Sequence, residues 1–163
     1  MLFRSFAKNH LSISRARAYL GNVYIDLGNY KKAKELIKKS LIIYEHHFGK
    51  SHVATAPILK NLGHAYLLEG NLKTAETLLR KALGIFQRNK HPESFTALES
   101  LADLHLKKSM QVTNKGNILQ SQNFKKQAVD LLNQALKVVK THFPADSPHI
   151  MRIQKKIKNL EQE

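Results

Sequence analysis

One pattern occurs twice in this chain, 42 residues apart, and it restricts what the chain can fold into. Leu20, Gly21, Tyr24, Gly28, Tyr30, Ala33, Ile37 and Ser40 return as Leu62, Gly63, Tyr66, Gly70, Leu72, Ala75, Leu79 and Ala82. Self-similarity at this length marks supersecondary units that cannot bury an apolar face alone and must stack on one another. Within each copy the apolar residues run at helical spacing (Leu20, Val23, Tyr24, Leu27), pause at Gly28-Asn29, and resume with Tyr30, Ala33, Leu36, Ile37 and Leu41. Each copy therefore reads as helix, tight turn, helix.

Gly21 and Gly63 fall inside helices, where glycine costs ~1 kcal/mol relative to alanine, so the sequence predicts a close helix approach at these points. Ala33, Ala75, Ser40 and Ala82 supply the small facing surfaces, and Gly28 and Gly70 are placed to end the first helix in the left-handed conformation.

These residues resemble the tetratricopeptide repeat, with its leucine, small residue and tyrosine in the first helix and two small residues in the second. The links Phe48-Gly49-Lys50-Ser51-His52-Val53, Asn89-Lys90-His91-Pro92 and Phe143-Pro144-Ala145-Asp146-Ser147-Pro148 resemble the Gly-x-x-His-Pro connector of kinesin light chains. Physically, a polar cap before a first-turn proline starts each new helix. The resemblance implies an all-α fold, a right-handed superhelical solenoid of antiparallel helix hairpins closed by a C-terminal capping helix. It also implies a non-catalytic adaptor.

The expected organisation is a single domain over residues 1–163, with repeats at 11–50, 51–90 and 91–143. Residues 1–10 form a remnant or capping helix, because His10 stands at the same offset from Leu20 as His52 from Leu62. Leu2, Phe3 and Phe6 then belong to the second helix of an earlier hairpin, or to a minimal cap. The third repeat separates Leu101 from Ala128 by 27 residues, against 13 between Leu20 and Ala33, an insertion of 14. Met110, Val112, Ile118 and Leu119 around Asn114-Lys115-Gly116-Asn117 predict that both helices are lengthened. Residues 147–161 give a last helix, in which Lys158 takes the place of the small residue and so ends the stack.

The sequence offers little catalytic chemistry. Cysteine is absent, which excludes disulfides and thiolates and is compatible with a cytoplasmic location; secreted-effector or organelle-targeted alternatives stand beside it. Residues 1–25 lack acids, as a transit peptide does, yet Arg15 to Tyr24 are needed by the first repeat. No run of ~18 apolar residues spans a membrane. His46, His47 and His52 flank a connector without metal-ligand spacing, and His52 and His91 read as helix caps. Glu99 and Asp103, one helical turn apart, read as an ordinary surface pair. No enzyme, cofactor, metal or small-molecule substrate is expected.

Net charge is the second constraint. The chain carries +15, from 21 lysines and 6 arginines against 12 acids, with +7 in residues 1–50. Lys31, Lys32, Lys34, Lys38, Lys39, Lys73, Arg80, Lys81, Lys125, Lys126, Lys137 and Lys140 lie on second helices, which the resemblance places on a convex wall. Such a wall is either solvated or docks on acidic protein, anionic lipid or nucleic acid in an assembly role. With no tryptophan and few aromatics among the lysines, specific nucleic-acid recognition is disfavoured.

The resemblance implies a concave groove lined by first helices that binds a peptide or protein partner. Its candidate residues are Arg15, Tyr19 and Asn22, then Lys60, Asn61 and His64, then Ser100. Asparagine offers both donor and acceptor to a ligand backbone, and Arg15, Lys60 and His64 favour a carboxylate. The carboxylate clamp of chaperone-binding relatives fits in part: Asn22 and Asn61 match, but Ala18, Thr96 and Ser100 stand where it needs cations. An extended acidic segment with an aromatic anchor is expected instead. Glu99 and Asp103 are expected to oppose it in the third repeat, leaving the N-terminal half as the attractive part.

Overall fold

A computed structural model describes the backbone of residues 2–162 and the side chains of residues 10–162. It contains α1 (Leu2–Asp26), α2 (Tyr30–Phe48), a short 3-10 turn (Val53–Thr55), α3 (Ala56–Glu69), α4 (Leu72–Arg88), α5 (Ser94–Thr113), α6 (Ile118–His142) and α7 (Pro148–Glu161). Among the described residues there is no strand. The chain divides into two compact units, residues 1–85 and 86–163.

In the first unit the glycines do what their cost implied. A Cβ on Gly21 would lie 2.5 Å from Ile37 Cγ1 and 3.3 Å from the Ala33 carbonyl oxygen. One on Gly63 would lie 2.9 Å from Leu79 Cγ and 3.3 Å from the Ala75 carbonyl oxygen. Helices α1 and α2, and again α3 and α4, therefore touch backbone to side chain at matching points. Ala33, Ile37, Ala75 and Leu79 are fully buried around these contacts. The core of this unit links Ala18, Ile25, Ala33, Ile37, Ile58, Leu62 and Ala65, with Tyr24, Leu41, Tyr44 and Tyr66 packed on its edge.

The helix turns share one construction. Gly28 is left-handed (φ 73°); its N–H donates to the Ile25 carbonyl at 2.9 Å, and the Asn29 N–H donates to Tyr24 at 2.8 Å. Gly70-Asn71 and Gly116-Asn117 repeat both bonds, to Leu67 and Tyr66 and to Thr113 and Val112. This double closure satisfies carbonyls at a helix end and needs a residue without a Cβ penalty. Each asparagine then caps the next helix, its side-chain oxygen accepting from the N–H of Lys32, Thr74 or Gln120 at 3.1–3.2 Å. The same turn thus closes the lengthened hairpin α5–α6, whose boundaries at Thr113 and Ile118 match the expected extension of both helices.

In the second unit Leu101, Ala102, Leu132, Ala135 and Val139 are fully buried, and Ile150, Ile153 and Ile157 bury one face of α7. Beyond them a polar clasp holds the extension: the buried hydroxyls of Ser109 and Ser121 lie 2.8 Å apart, and the Thr113 hydroxyl donates to Ser121 at 2.6 Å. Met110, Ile118 and Leu119 remain exposed at its tip.

One expectation is corrected. The break at His10 is absent: α1 runs unbroken from Leu2 to Asp26, so residues 2–10 continue into the helix of the first repeat. Nothing between residues 2 and 20 stops a helix, since that stretch contains neither proline nor glycine. The expected packing of Leu2, Phe3 and Phe6 lies outside the described side chains.

Candidate functional site

Arg15, Tyr19 and Asn22 follow one another at four and three residues along α1, and Lys60, Asn61 and His64 lie along α3, which contacts α1 within the first unit. Arg15 and Tyr19 are exposed, whereas Asn22, Lys60, Asn61 and His64 are half-buried. The Asn22 side-chain oxygen is shielded from solvent and has no hydrogen-bond partner in the protein. An acceptor in that condition costs about 1–3 kcal/mol, and its presence needs a reason.

Other expected groove positions serve the core. Ala18, which stands where the clamp needs a cation, is buried. Ser100, in the second unit, is buried, and its hydroxyl donates to the Thr96 carbonyl at 3.0 Å.

Glu99 and Asp103 are not the free acids expected to repel an acidic ligand. Arg152 of α7 makes a two-pronged contact with Glu99, its Nη2 2.7 Å from Oε2 and its Nε 3.3 Å from Oε1. Lys156 Nζ lies 2.7 Å from Asp103 Oδ1. Two acids one turn apart on α5 meet two bases one turn apart on α7. The equal spacing of four residues in Glu99/Asp103 and Arg152/Lys156 was legible in the sequence, but not that α7 would bring its bases to them.

The basic wall is partly neutralised within the first unit. Lys34 pairs with Glu69, Lys39 with Glu35, Arg80 with Glu76 and Lys81 with Glu45. Lys34 and Lys38 also sit over the Tyr66 ring, 4.8 and 5.6 Å from its centroid. Lys39 holds the Glu35 carboxyl below its ordinary value, first by a hydrogen bond and then by charge, with Lys31 and Lys32 adding to the effect.

The connector histidines accept backbone N–H groups at the turns before α3 and α5, but only His52 is a cap, of the 3-10 turn; the residue at the cap of α5 is Glu93, not His91. His52 Nδ1 accepts from the Ala54 N–H at 3.1 Å, and His91 Nδ1 from the Glu93 N–H at 3.3 Å. Each ring also stacks on the preceding phenylalanine, Phe48 at 5.1 Å and Phe86 at 5.3 Å between centroids. The sequence signal for this stacking was a phenylalanine four or five residues before each histidine. Among the described residues no three His, Asp or Glu side chains gather as metal ligands would. None of the described helices is long and apolar enough to cross a membrane.

Comparison with known proteins agrees with this geometry. Residues 14–88 match the family model for the tetratricopeptide repeat. The crystal structure of BtubC (BKLC) from P. vanneervenii shares the fold, with a TM-score of 0.55 and 16% identity over 91% of this chain. The alignment spans 63% of that longer chain. No curated protein matches the sequence. The repeated glycine contact and the family match identify residues 14–88 as tetratricopeptide repeats, and the solved structure shares the fold.

Proposed function

We propose that the protein is a non-catalytic adaptor that holds an extended, acidic segment of a partner protein against the face shared by α1 and α3. Tetratricopeptide repeats generally mediate protein–protein interaction, which supports a protein partner. The observation that carries the finer reading is the unpartnered, shielded oxygen of Asn22. Rotation of the half-buried side chain toward solvent would bring this oxygen to a ligand backbone N–H whatever the ligand's side chains, which is what binding of an extended chain requires. Tyr19 offers an aromatic surface, Asn61 a second amide, and Arg15, Lys60 and His64 a field that attracts carboxylates. The pairing of Glu99 and Asp103 with Arg152 and Lys156 removes the repulsion expected from the third repeat. The same internal pairing on α2 and α4 weakens the rival reading, in which the wall docks on an anionic surface.

The test is fluorescence anisotropy with a labelled acidic peptide carrying one large aromatic residue, for which a micromolar Kd, ~−8 kcal/mol, is expected. Lys60→Glu should weaken binding at least tenfold, and Lys38→Glu with Lys73→Glu should leave it within twofold. The opposite pattern would move the contact to the wall.

A further inference from the structure

The repeat makes α1 and α3 two versions of one helix, so the surroundings of α3 show what α1 is built to meet. At Thr55, the last residue of the 3-10 turn, and at Ile58, Leu62 and Ala65 of α3, exposure is 0–5%, and α2 packs on both elements. The α1 counterparts, 42 residues earlier, are Ile13, Ala16, Leu20 and Val23. Ile13 is 51%, Leu20 46% and Val23 50% exposed, and Ala16 is exposed too. With Leu27, 72% exposed, they form a stripe at alternating spacings of three and four residues that contains no charge. A continuous apolar stripe at this spacing is the seam of a helix–helix contact.

From this we infer that the α1 stripe is a docking surface for an amphipathic α-helix of a partner protein, seated as α2 is seated on α3. The chemistry of that helix follows from the one position where the copies differ in kind. Glu69 of α3 pairs with Lys34 of α2, and its counterpart on α1 is Leu27. The incoming helix should therefore present an apolar residue where α2 presents lysine, since an ammonium there would meet no carboxylate, and the Tyr24 ring, counterpart of Tyr66, is already covered by Lys32. Its flank is acidic. Arg17 borders the stripe one turn from Leu20, and Lys32 lies over the Tyr24 ring, 5.4 Å from its centroid, at the same edge. That basic edge, on a chain of net charge +15, disfavours a second copy as the occupant.

The chain supplies its own probe: a synthetic peptide with the sequence of residues 30–48, made with and without Lys34→Leu. Each is titrated into the isotope-labelled full chain, with amide chemical shifts as the readout. The Lys34→Leu peptide should perturb Ile13, Ala16, Leu20 and Val23, and the unmodified peptide should bind at least fivefold more weakly. Leu20→Asp in the protein should weaken binding at least tenfold while circular dichroism and melting stay unchanged; Val23→Asp, at another half-exposed position, provides the second reading. Equal affinity of the two peptides, or shifts centred on Leu62 and Ala65, would overturn the inference. So would a dimer in sedimentation that Leu20→Asp dissolves, because the stripe would then be filled by a second copy.

Discussion

The first hairpin and the third solve the same packing problem differently. Between α1 and α2 the contact point is Gly21, where even a methyl group would collide with Ile37. At the matching point of the third hairpin stands Ala102, fully buried opposite a fully buried Leu132. The third hairpin thus accommodates a Cβ that the first excludes, and its extended tip adds a hydroxyl clasp. Both hairpins carry a buried hydroxyl pair, so what sets the first apart is the close approach at Gly21, and what sets the third apart is its extended tip. Identical positions in a repeat can therefore differ in tolerance.

Substitutions can break this contrast. The largest effect is expected at Ile37, where Ile37→Ala should cost about 2–5 kcal/mol in chemical denaturation. Next comes Gly21→Ala: overpacking costs ~1–3 kcal/mol and helix propensity returns ~1 kcal/mol, so a net loss of stability is expected. In the Ile37→Ala background the same substitution should become neutral or stabilising, because the colliding atoms are gone. Ala102→Gly should destabilise by ~1 kcal/mol, as in any helix interior. A stabilising Gly21→Ala in the wild-type background would show that the first hairpin is no tighter than the third.

The serine pairs sharpen the contrast at smaller amplitude. In the first hairpin Ser14 and Ser40 are buried, with hydroxyls 3.0 Å apart and the Ser40 hydroxyl donating to the Ser14 carbonyl at 2.8 Å. The second copy carries Ala56 and Ala82 there, both fully buried. Ser14→Ala with Ser40→Ala should therefore be nearly neutral in thermal melts. Ser121→Ala alone should cost ~1–2 kcal/mol, because it strips Ser109 and Thr113 of a partner.

The smallest effect is electrostatic. The Glu35 pKa is depressed, so its ion pair with Lys39 contributes above the unfolded-state pKa and fades as pH falls through the lower folded value. The pair lies on the exposed face of α2, so Glu35→Gln should leave the melting temperature unchanged between pH 5 and 8. A measurable drop would mean that the exposed charges of α2 matter more than their exposure implies.

Much of this fold was readable because glycine in a helix and glycine at a turn leave different signatures. Gly21 and Gly63 declared a close contact, and Gly28-Asn29 and Gly70-Asn71 declared the turns. The same pair at Gly116-Asn117 placed the third turn despite the insertion. Gly21-Asn22 lies mid-helix, so the pair alone is not sufficient. What sequence could not give was the state of residues that depend on distant partners. Leu20 and Leu62 share a motif position, yet one is 46% exposed and the other 3%, because α2 packs against the helix that carries Leu62. Glu99 and Asp103 read as free acids because their partners lie 53 residues away. The shielding of the Asn22 oxygen is likewise a property of packing.

That oxygen gives the most direct test of the binding model. Isothermal calorimetry with Asn22→Ala should be run against an acidic peptide and against its counterpart with glutamine in place of glutamate. The account predicts a loss of three- to tenfold for both peptides alike, with helicity preserved, because Asn22 bonds to ligand backbone. Unchanged affinity, or a loss confined to the acidic peptide, would contradict it.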